Sequence, residues 1–497
     1  MSLSSLEPRT IDDPARRRAI LVAVCVALMA VIASVSGLNV AQQQIAVAFG
    51  ASQSTVLWII NVYALTLAAL LLPLGAAGDR WGRKPVLLAG LVVFGVANAA
   101  AALAPSTEVM LAARLLSGIG AAMIMPVTLA VITSTFPEGE RARAIGVWTG
   151  VAGGGGLLGM YLSALLVDVA SWRWLFVLPI ALVVAGAFLA VRAVPNSREH
   201  SGHGFDIVGS LASAVAVVAL IFVLHEGPVR GWSSLETLVS LVVGVLAAAV
   251  FVVWELRHPA PLLDVRLFRK RGLSSGSVTL LTVFGVQAGI FVVLFPYFQA
   301  VLGWSGLRST VAMLPMALLM MAASTLAPRL GTRFTAAIGI ALGAAGLALM
   351  ALFVSVGGGY LSVLPGMLAM GLGMGLSMTP STEAITASLP RERQGVASAL
   401  NDVTREFGTA LGVALLGAIL SAGYRAAVDS RLPGAPSGVR ENIANAAGDP
   451  ALIQAAREAF VEGWQQAMWA GVVVMTILFL YAVTGAMRQP QVRAAGR

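Results

Sequence analysis

The chain has 497 residues, of which 58% are hydrophobic and only 11% charged, against about 25% charged in an ordinary soluble domain. That composition excludes a soluble protein, so the formal net charge of +9 does not signal nucleic acid. All the basic residues except Lys84 and Lys270 are arginines, which are expected to anchor loops against anionic headgroups. The single cysteine, Cys25, lies in the first apolar run, so an intramolecular disulfide is impossible.

A polar tail, residues 1–18, ends in Arg16-Arg17-Arg18. A bilayer-spanning helix needs about 20 mostly apolar residues. Fourteen stretches qualify: 19–46, 55–76, 85–105, 108–135, 144–168, 174–194, 206–226, 233–256, 273–301, 308–328, 334–356, 360–383, 396–422 and 464–487. The first is too long for a signal-peptide core and reads as a retained helix. An even number places both termini on one side. With the N-terminus cytoplasmic, the inward segments hold 23 of the 32 Lys and Arg residues, the outward loops seven, and the spans two, Arg114 and Arg405. This asymmetry predicts cytoplasmic termini. Two connections are long. The inward one, 258–272, mixes apolar and basic residues and is expected on the inner leaflet. The outward one, 423–463, carries "DPALIQAAREAF", which predicts a short interfacial helix.

Between the second and third spans stands "GAAGDRWGRKP". Glycines permit the turn, and Asp79 can accept charge-assisted hydrogen bonds from Arg83 or from a neighbouring helix N-terminus. Composition alone is that of an ordinary positive-inside loop; the spacing is more specific. Gly75, Asp79, Arg80, Gly82, Arg83 and Lys84 resemble the loop signature of the major facilitator superfamily. Further segments are similar to its fourteen-helix drug:proton antiporter branch: "WIINVYALTLA", "RLLSGIGAA", "SWRWLF", "FPYFQ" and "GVASALNDVTREFGTALG". The resemblance covers essentially the whole chain. It implies an all-α membrane fold of two six-helix bundles, 19–200 and 273–487, with two inserted helices in 201–257, the amphipathic loop 258–272 and a cytoplasmic tail 488–497. It also implies a central cavity that opens alternately to each side.

The second bundle echoes the signature weakly in "LAPRLGTR", where Pro328 stands in place of the acid, so an ion-pair latch is expected mainly in the first half. The fifth span, "GVWTGVAGGGGLLGMYLSALLVD", keeps Gly155 and Gly159 of the antiporter pattern as a helix-packing motif, but Met160 replaces its proline and Ser163-Ala164 its glycine pair. No strand precedes this glycine run, which excludes a nucleotide-binding reading.

Arg114 is expensive at membrane depth and either faces the cavity or snorkels. Proton coupling needs a buried carboxylate. In the first span the resembling proteins often carry an acid five residues before Asn39-Val40-Ala41, and here that position is Ser34. Asp402, beside Arg405 and Glu406, is the remaining proton-coupling candidate, although Asp402 and Arg405 are spaced to pair as plain i, i+3 neighbours. Asp168 and Glu236 lie at outward span ends and read as interfacial. Histidines 200, 203, 225 and 258 sit in loops or at span ends and build no metal site, and no phosphate loop is present, so an enzyme or an ATP-driven pump is not expected.

Ser36, Asn39 and Gln43 make one polar stripe late in the first span, where Gln42 lies about 35 Å from Ala19 at ~1.5 Å per residue. With Asn61, Tyr63, Gln287, Tyr297, Gln299 and Asn401 they are expected to line an apolar cavity. Clustered methionines in the tenth span either adapt to substrate or simply pack. The expectation is a monomeric exporter of hydrophobic or amphipathic molecules in a bacterial inner membrane, contacting lipid, without nucleic acid, metal or cofactor, and driven by a proton gradient. A weakly coupled or uncoupled carrier of lipid-like metabolites is the alternative, and a non-transporting membrane sensor a third.

Overall fold

The computed structural model describes residue 11 and residues 13–38, 41–51, 53–197, 205–441, 443–446 and 450–487. Among these residues there is no strand, and 14 helices are long and apolar enough to cross a membrane. We number them α1 (Pro14–Leu38), α2 (Gln53–Trp81), α3 (Arg83–Ala102), α4 (Thr107–Thr135), α5 (Glu138–Val169), α6 (Trp174–Ala193) and α7 (Ile207–Arg230), then α8 (Leu235–Arg257), α9 (Arg271–Pro296), α10 (Gly306–Leu330), α11 (Thr332–Phe353), α12 (Gly359–Ala387), α13 (Gln394–Arg431) and α14 (Pro450–Met487). In hydrocarbon every backbone polar group must be satisfied within its own segment, which is why apolar runs of this length become helices.

Helices α1–α6 pack on one another, α1 against α4, α5 and α6, and α4 against α2 and α3. Helices α9–α14 form a second group, with α13 against α9 and α14, and α12 against α10 and α11. The α7–α8 hairpin leans through α7 on α2 and α13, while α8 presents Leu238, Val239, Val242 and Leu246 outward. The two groups meet where α5 crosses α10 and α12, and where α2 and α4 cross α13.

Small residues set these crossings, since lipid tails supply no hydrophobic force between helices and close backbone approach must do so. Gly412 of α13 lies so near the Gly285 carbonyl of α9 that any Cβ there would collide with it. Gly423 and Gly463 bring α13 and α14 together in the same way, with a Cβ on Gly423 standing 2.8 Å from the Gly463 Cα. Gly155 and Gly159 face α1, where a Cβ on Gly159 would stand 3.2 Å from the Ala33 Cα, so this pair joins two helices of one bundle.

Three expectations are corrected. The first span does not run to residue 46. Helix α1 ends at Leu38, and a separate short helix, Gln42–Phe49, follows the Ala41 N–H bond to the Leu38 carbonyl and ends on Gly50 at φ 58°. Buried Ile45 and the Phe49–Trp172 contact, at 5.4 Å between ring centroids, pin this helix to the end of the bundle. Ser36 and Gln43 therefore do not share one helical face; their side chains, and all of Asn39, lie outside the described residues. The "DPALIQAAREAF" segment is not a separate interfacial helix, because it runs unbroken into α14. The 258–272 loop does not lie free on a leaflet: Leu262 and Leu263 are buried, and the Arg393 Nη1 donates to the Pro261 carbonyl at 3.3 Å.

Gly412→Ala is expected to cost about 1–3 kcal/mol by overpacking against Gly285. Gly139→Ala, in a helix with open space around it, should be neutral or stabilising by up to ~1 kcal/mol. Thermal unfolding of the two purified variants checks the contrast, and equal midpoints would contradict it.

Candidate functional site

The loop signature forms a latch between the bundles. Asp79, 1% exposed at the end of α2, accepts from Arg83 Nη2 at 2.7 Å and Nε at 3.1 Å. The same carboxylate accepts the backbone N–H groups of Gly395 at 2.9 Å and Val396 at 3.1 Å. These amides belong to the first turn of α13, where N–H groups have no partner within the helix and the dipole favours an anion. Arg83 Nη2 reaches on to the carbonyls of Arg391 at 3.1 Å and Glu392 at 3.3 Å, and Nη1 donates to Ser197 Oγ at 3.3 Å. Gly82 turns the chain at φ 109°, a conformation that favours glycine. Lys84 Nζ ties α3 to the Val191 carbonyl of α6 at 2.7 Å, and Arg80 is half-buried beside the turn. A Cβ on Gly75 would stand 2.6 Å from the Gly395 carbonyl oxygen, so the latch also requires its small residues. At the pseudo-equivalent crossing in the other half, Gly146 of α5 faces the Ser324 carbonyl and Pro328 of α10, and the start of α5 meets the second bundle through the exposed Glu138–Arg391 pair at 3.4 Å.

The ionisable residues of α13 continue the face that the latch begins. Gly395, Ala399, Asp402 and Glu406 follow i, i+4, i+7 and i+11 spacing, which is one side of a helix, and Gly395 and Ala399 on that side touch α2. Asp402 is 0% exposed. Its Oδ1 receives Asn401 Nδ2 at 3.2 Å and Arg405 Nη1 at 3.4 Å, while its Oδ2 has no hydrogen-bond partner. The Arg405 guanidinium spans the seam, 4.4 Å from the Phe284 ring centroid of α9 and 5.6 Å from that of Trp148 on α5. Glu406 lies within electrostatic reach of Tyr63 on α2.

Arg114 neither snorkels nor opens to water. It is 1% exposed within the first bundle, with Nη1 donating to Ser34 Oγ at 3.1 Å, Nε to the Ile59 carbonyl at 3.3 Å, and its guanidinium 4.3 Å from the Tyr63 ring centroid. Ser34, at the position where resembling chains often have an acid, thus partners the arginine. The cluster runs from Arg114 through Tyr63 to Glu406, Arg405 and Asp402, from one bundle into the other.

The expected cavity residues divide. Asn401 on α13 and Gln287 on α9 are buried, each with a side-chain oxygen that has no hydrogen-bond partner, as does the Thr149 hydroxyl of α5. Asn61 is half-buried on α2. Tyr297 is corrected: it lies in the core of the second bundle, its hydroxyl donating to the Ser355 carbonyl at 3.0 Å and its ring 5.0 Å from that of Trp464. Gln299 is also corrected, being exposed in the π-helical turn Tyr297–Val301 at a helix end. Sequence reasoning missed Trp148, Phe284 and Asn98. Asn98 accepts the Ser34 hydroxyl at 3.4 Å and was detectable as the one amide of an otherwise apolar third span. The two aromatics carried no signal distinguishing them from packing residues.

Asp79→Ala leaves the Gly395 and Val396 amides without their acceptor, a loss worth about 1–3 kcal/mol. In a Cys25→Ser background, a cysteine at buried Ser398 should then react with an impermeant maleimide from the latch side about tenfold faster, or more, than with Asp79 intact. Unchanged labelling would contradict the latch.

Comparison with known proteins agrees with this architecture. Residues 22–413 match the model of the Major Facilitator Superfamily. The chain is 31% identical over 468 residues to the multidrug resistance protein Stp of Mycobacterium tuberculosis, covering 89% of this chain and 87% of that one. It is 31% identical over 499 residues to the multidrug efflux pump LfrA of Mycolicibacterium smegmatis, with 96% and 97% covered. It is 33% identical over 453 residues to the methyl viologen resistance protein SmvA of Salmonella typhimurium, with 85% and 89% covered. Among solved structures, the proton:xylose symporter XylE shares the fold at TM-score 0.62 and 14% identity, with 95% and 96% covered. The latch, the two bundles and these matches lead to one conclusion: the chain is a multi-pass membrane transporter of the major facilitator superfamily, not an enzyme.

Proposed function

We propose that this protein exports hydrophobic or amphipathic small molecules, drugs or natural products among them, by alternating exposure of the seam between its bundles. The relatives named as multidrug efflux and resistance proteins support that substrate class. The reading places the chain in a bacterial inner membrane as a monomer with both termini and the latch cytoplasmic, as the arginine distribution favours.

Proton coupling is part of the proposal, and its carrying observation is Asp402. A fully buried carboxylate with one unpartnered oxygen, beside an arginine on a helix at the interface between the bundles, can gain or lose a proton as its surroundings change. Glu406 is the second carboxylate of the same face. Substrate would meet the amides of Asn401 and Gln287 and the aromatic faces of Trp148 and Phe284, with no fixed full charge required. No cofactor enters this mechanism.

A second reading, transport of lipid-like molecules without coupling, is favoured by one observation: Arg114 is satisfied by a serine hydroxyl and a carbonyl, so the first bundle offers it no titrating partner. Dye efflux from proteoliposomes separates the two. Coupled export predicts acceleration by an imposed pH gradient, and a fall of about tenfold, or ~1.4 kcal/mol of coupling, in Asp402→Asn. Equal flux with and without the gradient, in wild type and variant alike, would overturn coupling.

A further inference from the structure

A second group of buried acids lies outside the bundles, in the inserted hairpin. Asp206 caps α7, its Oδ1 accepting the Gly209 N–H at 2.8 Å and the Trp254 Nε1–H of α8 at 2.9 Å. Glu255, near the end of α8, accepts the Leu263 N–H through Oε2 at 3.1 Å. Asp206 is 6% exposed and Glu255 1%. The remaining oxygens, Asp206 Oδ2 and Glu255 Oε1, crowd the same face of Gly209, and neither has a hydrogen-bond partner. No side chain could be added at Gly209 without striking both.

Two buried carboxylate oxygens facing one point cannot both be comfortable as anions; a proton on either makes a donor for the other and removes one charge. Among the described residues, the neighbouring groups whose partners are given turn elsewhere. His258 Nδ1 is 4.0 Å from Asp206 Oδ2 but accepts the Ala260 N–H at 3.3 Å, so that nitrogen is not a donor here. Arg266 donates to the Leu256 carbonyl at 2.9 Å, Arg393 to the Pro261 carbonyl at 3.3 Å, and Asp264 caps the Arg266 N–H at 3.0 Å. The Glu255 bond to Leu263 and the Arg393 bond to Pro261 fasten the same turn, and Arg393 immediately precedes α13 and the latch amides.

We propose that Asp206 and Glu255 hold one proton between them, and that this proton clamps the 258–264 turn onto the start of α13. The hairpin is then a proton-binding device separate from the transport seam. The sign follows from charge: the turn is docked while the proton is bound and is released as pH rises and both carboxylates become anions.

Amide hydrogen exchange of the purified full-length protein tests this, read in peptides covering the 258–264 turn and corrected for the intrinsic pH dependence of exchange. In wild type, protection should fall about tenfold per pH unit once the proton leaves. Glu255→Gln and Asp206→Asn each place an amide donor between the two side chains, so either variant should keep the turn protected with no pH dependence. Protection of α7 peptides shows that each variant is folded. A wild-type turn whose protection ignores pH, or variants that titrate as wild type does, would overturn the proposal. Restoration of protection at high pH by sodium would overturn it too, by showing a metal cation in place of the proton.

Discussion

The Asp79 carboxylate is the point on which the two halves are joined. It is buried, yet it takes four hydrogen bonds, two from Arg83 and two from backbone amides across the seam. A buried charge is tolerable only when it is paired and its acceptor sites are filled, and here half of that satisfaction comes from the other bundle. Opening this end of the molecule must therefore replace the α13 amides with water or another donor. The Glu138–Arg391 pair on the other side of the pseudo-symmetric arrangement is exposed, where water can replace either partner, so the buried Asp79 contact is the costlier one to open.

Helix α13 carries both the latch contact and the ionisable residues. From Gly395 to Asp402 is about 10 Å along the helix at ~1.5 Å per residue, and Glu406 is one turn further on the same face. A rigid helix transmits a shift at Asp402 to the capped end without any intermediate element. This is why a carboxylate on α13, rather than one in the first bundle, suits the coupling role, and why the serine beside Arg114 is compatible with it. Arg114, Ser34, Tyr63 and Ile59 instead knit α1, α2 and α4 into one body packed against α13.

The architecture was legible because membrane helices obey one length rule. The latch was legible because its glycines and charges are contiguous in sequence. What was not legible depends on where chains bend or meet. The first span reads as continuous through Gly37 and Leu38, but its helix ends there, so the polar stripe of Ser36, Asn39 and Gln43 rested on a helix that does not exist. Tyr297 resembles a cavity residue in sequence, while its hydroxyl is committed to a carbonyl in the bundle core. Trp148 and Phe284 matter because Arg405 lies between them, a relation among three helices. Asp206 and Glu255 are far apart in sequence and meet only because α7 and α8 form a hairpin.

The central claim is that protonation on α13 governs the separation of the bundles at the latch. Spin labels at Gly139 on α5 and Phe334 on α11, in a Cys25→Ser background, report that separation directly by pulsed dipolar spectroscopy. The account predicts a distance distribution that changes with pH in the wild-type background and becomes independent of pH in Asp402→Asn. The same pH response with and without the Asp402 carboxylate would contradict it.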